Sequence, residues 1–396
     1  MSLPPLVEPA ETLTPDEIRR YSRHVIIPEI GMDGQKRLKN ARVLCIGAGG
    51  LGSPVMLYLA AAGVGTIGVI DYDVVDESNL QRQIIHGQSD IGRSKAQSAR
   101  ESILEINPHV KVELHETQLA SSNVFELFDK YDLIIDGTDN FATRYLVNDA
   151  AVLLNKPYIW GSIFRFDGNV SVFWAEHGPC YRCLYPEPPP PGMVPSCAEG
   201  GVLGVMAGTI GTLQVTEAIK LLTGTGDPLV GELIVYDALD AQFTKVRVRK
   251  DPNCAVCSDN ATVTELIDYA AFCGALSPEA VEAIKGSTIT VTTLKERLDA
   301  RAAGTDDFVL IDVREPAEYE IVNIPGAVLV PKGKFFAGRA LEELPRDKPV
   351  VLTCKTGGRS AEVLALLKNN GFADATHVAG GVIAWVNKIE PDKISY

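Results

Sequence analysis

Four cysteines occur as two Cys-x-x-Cys pairs, Cys180 with Cys183 and Cys254 with Cys257. Four thiolates at this spacing can complete a tetrahedral zinc site, and a site with no open coordination position is structural. The alternative is a pair of redox-active disulfides. Because a redox motif normally opens a helix, whereas both pairs lie in loop-like contexts near prolines, the pattern favours Zn²⁺ bound by four cysteines.

Another cysteine begins the segment Cys354-Lys-Thr-Gly-Gly-Arg359, which follows an apolar stretch and precedes a predicted helix. In such a loop, backbone N–H groups can surround one sulfur atom, while Arg359 and the helix N-terminus add positive potential. These conditions favour a thiolate and stabilise an anionic persulfide. The simpler interpretation is a glycine turn that begins with cysteine.

A glycine-rich segment, Gly47-Ala-Gly49-Gly50-Leu-Gly52, follows a predicted strand and opens a predicted helix, and Asp71 ends the next strand. Glycines let the backbone approach phosphates closely, and a helix N-terminus favours anions. The acid can hydrogen-bond ribose hydroxyls. The segment therefore predicts a nucleotide site, although the same arrangement serves both ATP and NAD.

Charged residues after the glycine-rich segment favour ATP over NAD. A reacting triphosphate needs cations near the leaving pyrophosphate and an acid that can hold Mg²⁺. Arg82, Lys95 and Asp139 supply these groups, whereas an NAD enzyme needs a nicotinamide pocket and no cationic cluster. Any one of the three could instead be an ordinary surface charge.

The other cysteines are harder to interpret. Cys197 follows a proline run and lies in a glycine-flanked segment, which suits either a reactive thiol or a small buried side chain. Cys45 lies in an apolar run and is predicted to be part of the core. Cys273 has no evident partner in the sequence and is predicted to be a packing residue.

The predicted elements place these groups. Thr14 and Pro15 predict the start of an N-terminal helix. We predict strands over 42–46, 67–70 and 132–136 and helices over 53–62 and 94–106, followed by a helix over 210–222 and strands over 234–236 and 243–248. Alternating strands and helices predict an α/β fold with a Rossmann-like, doubly wound parallel sheet.

The segment from about 258 to 286 has no clear strand pattern, and a new α/β unit follows it. We predict strands near 289 and over 308–311 and 350–353, with helices over 293–303 and 360–369. The chain is therefore expected to contain an ATP-binding domain with a zinc site over 1–260, a linker over 261–286 and a smaller α/β domain over 287–396.

Composition excludes several classes of protein. The 396 residues are 46% hydrophobic, enough for a substantial core, and the net charge of −14 argues against general nucleic-acid binding. The sequence contains no apolar stretch of the roughly 20 residues that a membrane helix needs. The N-terminus lacks the pattern of a signal peptide, so a cytoplasmic protein is expected.

The first part of the chain resembles a known family. The motifs RYSRHVIIPEIG, GAGGLGSPV, DYDVVDESNLQRQ, GTDN, CYRC and CAVC occur in the order typical of the MoeB/ThiF/HesA group of ubiquitin-activating-type adenylyltransferases. The resemblance covers about residues 14–260. It implies MgATP-dependent adenylation of the C-terminal glycine of a ubiquitin-like sulfur carrier that ends in Gly-Gly.

The resemblance also implies roles for individual residues. Arg23 is expected to reach the active site of the partner subunit in a homodimer, and Cys197 matches a cysteine thought to meet the activated carrier or the sulfur. The four paired cysteines are expected to bind Zn²⁺. The residues expected at the nucleotide are Gly47, Gly49, Gly50, Gly52, Asp71, Asp73, Ser78, Asn79, Leu80, Gln81, Arg82, Lys95, Asp139 and Asn140.

Residues 287–396 resemble a rhodanese domain. The resemblance rests on Asp312-Val-Arg-Glu-Pro-x-Glu-Tyr319, Asn323-Ile-Pro-Gly-Ala327 and the six-residue loop from Cys354 to Arg359. It implies that Cys354 carries sulfur as a persulfide, received from thiosulfate or from a protein persulfide. The whole chain is then expected to convert the adenylated carrier into a thiocarboxylate for a molybdopterin, thiamine, cysteine or tRNA-thiolation pathway.

Overall fold

A computed structural model describes residues 3–190, 200–274 and 284–396 of the chain. The chain divides into two compact units. Among the described residues, the N-terminal unit comprises 3–188 and 200–272, and the C-terminal unit comprises 189–190, 273–274 and 284–396. Each unit contains its own β-sheet and its own apolar core. Each therefore has the parts of an independent domain.

One eight-stranded sheet forms the centre of the N-terminal unit. Its strands are β1 (Arg42–Ile46), β2 (Thr66–Ile70), β3 (Lys111–His115), β4 (Leu133–Asp136), β5 (Tyr158–Phe164), β6 (Asp167–Phe173), β7 (Glu232–Asp237) and β8 (Gln242–Arg247). Their order across the sheet is β3-β2-β1-β4-β5-β6-β7-β8. The predicted strands in this unit are present within two residues at each end, but β3, β5 and β6 were not predicted.

The sheet is mixed, whereas the sequence predicted only parallel strands. The strands from β3 to β5 pair in parallel, and β6, β7 and β8 are antiparallel to their neighbours. Only Arg165 and Phe166 separate β5 from β6, and Arg165 has a φ of 52°. Because a parallel connection needs a crossover of a dozen or more residues, so short a link forces a hairpin.

Helices of the N-terminal unit cover the sheet and connect its strands. They are α1 (Pro15–Val25), α2 (Gly31–Asn40), α3 (Gly52–Ala62), α4 (Lys95–Ile106), α5 (Val124–Asp129), α6 (Phe141–Leu153), α7 (Tyr181–Leu184), α8 (Gly204–Thr223) and α9 (Tyr269–Phe272). Thr14 caps α1 as predicted, since its side chain accepts from the N–H of Glu17. Helices α3 and α8 pack on each other and contribute to the main apolar core.

Helix α8 begins six residues earlier than predicted, at Gly204. Glycine is a poor helix former, which hid this start in the sequence. The structure supplies the reason for the glycine: a Cβ at this position would collide with the carbonyl oxygen of Gln81. Close packing against the segment after β2 therefore requires glycine here.

The C-terminal unit has a five-stranded parallel sheet. Its strands are β9 (Thr288–Ile289), β10 (Val309–Asp312), β11 (Ala327–Leu329), β12 (Val350–Thr353) and β13 (Thr376–Val378), and their order is β11-β10-β12-β13-β9. Strand β12 has the predicted bounds. Its burial throughout places the residue that follows it, Cys354, at the end of a central strand.

Six helices of the C-terminal unit lie in the described part of the chain. They are α10 (Val291–Ala302), α11 (Pro316–Ile321), α12 (Lys332–Phe336), α13 (Arg339–Glu343), α14 (Gly358–Asn369) and α15 (Gly381–Ile389). Helix α14 starts two residues before its predicted start, directly after Gly357, whose φ is 107°. Among the described residues, no helix combines the length and apolar character needed to cross a membrane.

Candidate active sites and metal centre

The carboxyl ends of three parallel strands bring the predicted nucleotide residues to one edge of the N-terminal sheet. In the strand register, Ile46 of β1 pairs with Ile70 of β2 and with Asp136 of β4. The glycine-rich loop, Asp71 and the loop that contains Asp139 therefore all start at the same edge of the sheet. Between them lies a cleft of about 370 Å³. Such crevices at strand ends are where open α/β sheets bind ligands.

Ten of the fourteen residues expected at the nucleotide line this cleft. They are Gly47, Gly49, Gly50, Asp71, Asp73, Asn79, Arg82, Lys95, Asp139 and Asn140. The other four are placed nearby, and Gly52 has a packing reason to be glycine: a Cβ there would collide with the carbonyl oxygen of Gly47. Ser78, Leu80 and Gln81 flank cleft residues in the segment around a 3₁₀ turn, Glu77–Asn79.

Asp71 holds the glycine-rich loop in place. One of its carboxylate oxygens accepts from the N–H of Ala48 at 2.7 Å, and the other accepts from the N–H of Asp73 at 2.8 Å. Gly47 has a φ of 89°, a conformation that other residues adopt only with strain. The acid predicted to contact a ribose thus also organises the backbone that would surround phosphates.

Lys95 is a buried cation at the wall of the cleft. It is 7% exposed and occupies the first position of α4, where the helix dipole is also positive. Its ammonium lies 3.2 Å from the carboxylate of Asp73, which is mostly exposed. Lys95 therefore places a partly compensated positive charge at the cleft wall, where an anionic ligand can reach it.

Arg82 reaches the cleft from the segment after the 3₁₀ turn. Its guanidinium donates to the carbonyl oxygen of Ser78 at 3.1 Å, and its aliphatic stem passes close to Gly50. Asn79 accepts from the N–H of Asp76 at 3.3 Å. The hydrogen bond to Ser78 and the contact with Gly50 place the side chain of Arg82 beside the glycine-rich loop.

Two polar residues follow β4 at the other side of the cleft. Asp139 is exposed, as a carboxylate that meets a cation and a nucleotide would need to be. The side chain of Asn140 accepts from the N–H of Thr143 at 2.9 Å and caps α6. Asn140 therefore has a structural role in addition to its place on the cleft wall.

Arg144 is a cleft residue that the sequence interpretation missed. It is buried in the first turn of α6 and donates to the carbonyl oxygen of Thr138 at 3.3 Å and to the hydroxyl of Ser162 at 3.2 Å. Beneath it, burial raises the pKa of Asp136, and the charge of Arg144 opposes this rise in part. The sequence feature that could have identified Arg144 is an arginine among mostly apolar residues at the start of this helix.

Arg23 does not line the cleft of its own chain. It lies exposed near the end of α1. The placement predicted for it, in the active site of a partner subunit, stays a prediction. Cys197 lies outside the described residues, so its predicted reactivity also stays a prediction.

The two cysteine pairs form one cluster. All four sulfur atoms lie within 4.8 Å of one another. The Sγ–Sγ distances are 3.9 Å between Cys180 and Cys183, 3.5 Å between Cys180 and Cys254, and 3.4 Å between Cys183 and Cys257. A tetrahedron with Zn–S bonds of about 2.3 Å has edges of about 3.8 Å, so the cluster has the right size for zinc. The distances are too long for disulfides.

The first cysteine pair opens a short helix, contrary to the expectation of a loop. Cys180 is the N-cap of α7. The argument from loop context against a redox motif is therefore wrong for this pair, and the case for a metal rests on the clustering of four sulfurs. The helix turn is anchored by Arg182, whose guanidinium makes two hydrogen bonds of 2.8 Å to the buried carboxylate of Asp149.

The thiol of Cys354 lies at the base of the predicted sulfur loop in the C-terminal unit. It is 1% exposed, and the N–H of Gly357 donates to its sulfur at 3.1 Å. Helix α14 starts at the following residue, Gly358. One backbone N–H, directly before the start of α14, therefore contacts this sulfur and can stabilise a sulfur anion.

Arg359 is paired, which changes its predicted role. Its guanidinium makes two hydrogen bonds of 2.7 Å to the carboxylate of Glu318, and both side chains are largely buried. Burial alone would raise the pKa of Glu318, but the hydrogen bonds from Arg359 lower it overall. Because the two charges compensate each other, Arg359 fixes the loop more than it adds net positive potential.

Two family descriptions match the chain. The ThiF family matches residues 21–256, and the rhodanese-like domain matches residues 290–388. The first match contains the residues that line the nucleotide cleft and three of the four clustered cysteines, and it ends one residue before Cys257. The second match contains the loop from Cys354 to Arg359.

Relatives that match nearly the whole chain carry two activities in their names. The chain is 59% identical to the probable adenylyltransferase/sulfurtransferase MoeZ of Mycobacterium tuberculosis, over 100% of this chain and 99% of the relative. It is 43% identical to the adenylyltransferase and sulfurtransferase MOCS3 of Drosophila ananassae, over 96% of this chain and 85% of the relative. Among solved structures, Escherichia coli MccB has a similar fold, with 22% identity and a TM-score of 0.56 over 63% of this chain and 76% of MccB.

Proposed function

The chain belongs to the ThiF family and carries a rhodanese-like domain after its ThiF region, and we propose that the two parts act in succession on one protein substrate. The chain is an adenylyltransferase and sulfurtransferase, the two activities that its full-length relatives carry in their names. In our proposal the substrate is a ubiquitin-like sulfur carrier ending in Gly-Gly. Its C-terminal glycine is first adenylated and then converted into a thiocarboxylate.

The cleft that gathers Arg82, Lys95 and Asp139 around the glycine-rich loop is the observation that carries this proposal. An oxygen of the carrier's C-terminal carboxylate attacks the α-phosphorus of ATP, and pyrophosphate leaves with the bonding electrons. Arg82 and Lys95 stabilise the charge on the triphosphate as the bond breaks. Asp139 would hold Mg²⁺, which neutralises phosphate charge when bound. Positioning and charge suffice, and no protein nucleophile is needed.

The sulfur step uses the thiol of Cys354. Its persulfide, formed from thiosulfate or from a protein persulfide, attacks the carbonyl carbon of the acyl-adenylate, and AMP leaves. A thiol reductant then cleaves the S–S bond to Cys354 and releases the thiocarboxylate.

Two further parts of the proposal concern assembly. We propose that the chain forms a homodimer in which Arg23 serves the cleft of the partner subunit, because an arginine supplied across an interface can neutralise phosphate. The exposure of Arg23 on α1 is compatible with that role. We also propose that the four paired cysteines hold a structural Zn²⁺ ion, supported by their sulfur spacing.

The proposed domain bounds are 1–260 and 287–396, with a linker over 261–286. We propose a cytoplasmic enzyme that feeds a molybdopterin, cysteine, thiamine or tRNA-thiolation pathway, since carriers of this chemical type donate sulfur in these routes. The carrier is recognised by its accessible Gly-Gly terminus, which must reach the cleft.

Exchange of labelled pyrophosphate into ATP tests the adenylation step. With a purified ubiquitin-like carrier ending in Gly-Gly, the unaltered protein should catalyse exchange, and Arg82→Ala should lower the rate at least about 100-fold because it removes a transition-state charge contact. Arg100→Ala is the matched control, since Arg100 is exposed on α4 and does not line the cleft.

Mass measurement of the carrier then tests the sulfur step, with one oxygen replaced by sulfur as the expected change. Exchange that does not depend on the carrier would contradict the proposal. Binding of NADH in the cleft with no exchange would instead favour an oxidoreductase.

A further inference from the structure

A chain of hydrogen bonds leads from the buried thiol of Cys354 to the surface of the C-terminal unit. The sulfur lies 3.5 Å from the hydroxyl oxygen of Ser360, which lies 3.3 Å from Nδ1 of His377. On the other side of the ring, Nε2 lies 2.9 Å from the hydroxyl oxygen of Thr288. Ser360 is fully buried and His377 is 8% exposed, whereas Thr288 is exposed.

The sulfur chemistry creates a need for such a path. Only the thiolate attacks a sulfur donor, so the proton of the thiol must leave before sulfur can be accepted. Cys354 is 1% exposed, which limits direct transfer of this proton to solvent. The N–H of Gly357 stabilises a sulfur anion but cannot accept a proton.

The atoms are arranged for transfer in one direction. With the imidazole proton on Nε2, the thiol donates to the Ser360 hydroxyl, the hydroxyl donates to Nδ1, and Nε2–H donates to Thr288. Thr288 in turn donates to the carbonyl oxygen of Ile284 at 3.2 Å. The Ser360 hydroxyl also lies 2.9 Å from the carbonyl oxygen of Gly357, which can accept its hydrogen bond between proton transfers.

His377 has the properties of a proton acceptor. Burial lowers its pKa, and the Gly357 backbone, which favours the protonated ring, raises the pKa in part, so the imidazole is neutral near pH 7. Other ionisable side chains at the loop are engaged: both carboxylate oxygens of Glu318 accept from Arg359, and the ammonium of Lys355 lies 4.4 Å from the ring centre of Tyr396. The imidazole therefore joins the thiol to the surface through groups that can exchange protons.

We propose that Ser360 and His377 form a proton relay that carries the thiol proton of Cys354 to Thr288 and solvent before each sulfur transfer. This inference rests on the proposed sulfurtransferase function. In the step, the S–H bond of Cys354 breaks, Ser360 receives that proton and passes its own to Nδ1, and Nε2 releases one through Thr288. The thiolate then attacks the outer sulfur of thiosulfate, an S–S bond forms to Cys354, and sulfite leaves with the electron pair of the broken S–S bond.

Single-turnover release of sulfite from thiosulfate by the full-length, reduced protein tests the relay. Near pH 7, His377→Gln and Ser360→Ala should each slow sulfite release at least about 100-fold, the lower end of the range for loss of a general base. His377→Gln fills the space and keeps polar contacts but cannot accept a proton. Thr353→Val is the matched control, because it deletes a buried hydroxyl beside Cys354 that has no hydrogen-bond partner in the described part of the chain.

Chemical rescue separates proton transfer from packing. In His377→Ala, added imidazole should restore sulfite release in proportion to its concentration, whereas Ser360→Ala should not respond. Rates within twofold of the unaltered protein for His377→Gln would overturn the relay, as would a slow His377→Ala that imidazole leaves slow. If the unaltered protein releases no sulfite, the proposed transfer of sulfur from thiosulfate to Cys354 fails as well, so the two failures are distinguishable.

Discussion

At the scale of single residues, Lys95 shows how a cation can be kept ready for an anionic ligand. A lysine at the first position of a helix opposes the helix dipole, and burial adds a desolvation cost. Asp73, at 3.2 Å, compensates the charge of Lys95 only in part, so a more highly charged anion can replace Asp73 as its partner. A triphosphate provides that anion, so an arrangement that is unfavourable without a ligand favours binding of one.

Cys354 permits a test that separates the two activities. Cys354→Ala should reduce release of sulfite from thiosulfate to the uncatalysed rate, because it removes the nucleophile, while pyrophosphate exchange should stay within about twofold of the unaltered protein. Cys273→Ala is the control and should retain both activities. Loss of exchange in a folded Cys354→Ala protein would show that the activities are coupled more tightly than we propose.

His86 predicts how stability depends on pH. Its Nε2 lies 2.9 Å from the carbonyl oxygen of Ala48 in the glycine-rich loop, and its Nδ1 lies 2.8 Å from the hydroxyl of Ser98. Burial lowers the pKa of His86 below its ordinary value of 6.5. A lowered folded-state pKa means that the contribution is present above 6.5 and is lost as the pH falls toward the lower folded-state value.

The measurement is the free energy of unfolding in urea between about pH 7.5 and pH 5. The unaltered protein should lose stability as the pH falls, and His86→Gln should show a shallower dependence because the titrating group is gone. His109→Gln, a change at an exposed histidine, should keep the original dependence. An unchanged slope in His86→Gln would refute this account.

At the scale of elements, the nucleotide cleft depends on how closely α3 packs behind the glycine-rich loop. The loop turns directly from β1 into α3, and the carbonyl oxygen of Gly47 occupies the place where a Cβ of Gly52 would be. Any larger residue must push the helix away from the strand ends. The position of the helix N-terminus, and with it the phosphate site, therefore depends on one missing methyl group.

Two glycine substitutions test this packing. Gly52→Ala should destabilise the N-terminal unit by at least about 1–3 kcal/mol through overpacking and should weaken ATP binding. Gly208→Ala, within α8, is the matched control, since a Cβ there meets no atom within 4 Å. It should stabilise the helix by about 0.5–1 kcal/mol. Urea unfolding and ATP titration are the measurements, and a Gly52→Ala protein as stable as its parent would contradict the packing argument.

At the scale of the whole molecule, two units with separate sheets and cores support the two activities. Within the N-terminal unit, the four-cysteine cluster joins α7 to residues that follow β8, near the end of that unit. The bidentate pair of Arg182 and Asp149 anchors the same region, and the hydroxyl of Tyr269 donates to Asp149 at 2.9 Å. The cluster therefore links α7 to a segment about 70 residues later in the sequence, after β8.

The zinc content and the Tm test whether a metal ion stabilises this link. Purified protein should contain about one zinc ion per chain, and Cys254→Ser should lower that content well below one and lower the Tm of the N-terminal unit. Elemental analysis and calorimetry are the measurements. Cys273→Ser, outside the cluster, should keep both values. Protein that stays folded with no stoichiometric zinc would overturn the assignment of a structural metal.

The sequence by itself determined the local features of this protein. Short-range backbone requirements and apolar periodicity can be recognised within a few residues. They were enough to identify the glycine-rich loop, the cysteine spacing and the ends of β1, β2 and β12. The fold class and ten residues of the cleft wall followed from these motifs and from the resemblance that they carry.

Only the tertiary structure decided which distant side chains meet. The pairing of Arg359 with Glu318, the place of Arg144 in the cleft and the contact of Ser360 with His377 join residues that no local pattern connects. The antiparallel strands after β5 likewise depend on a two-residue link whose effect is visible only once both strands are known. Long-range contacts arise from packing of whole elements, so their partners cannot be inferred from residue spacing alone.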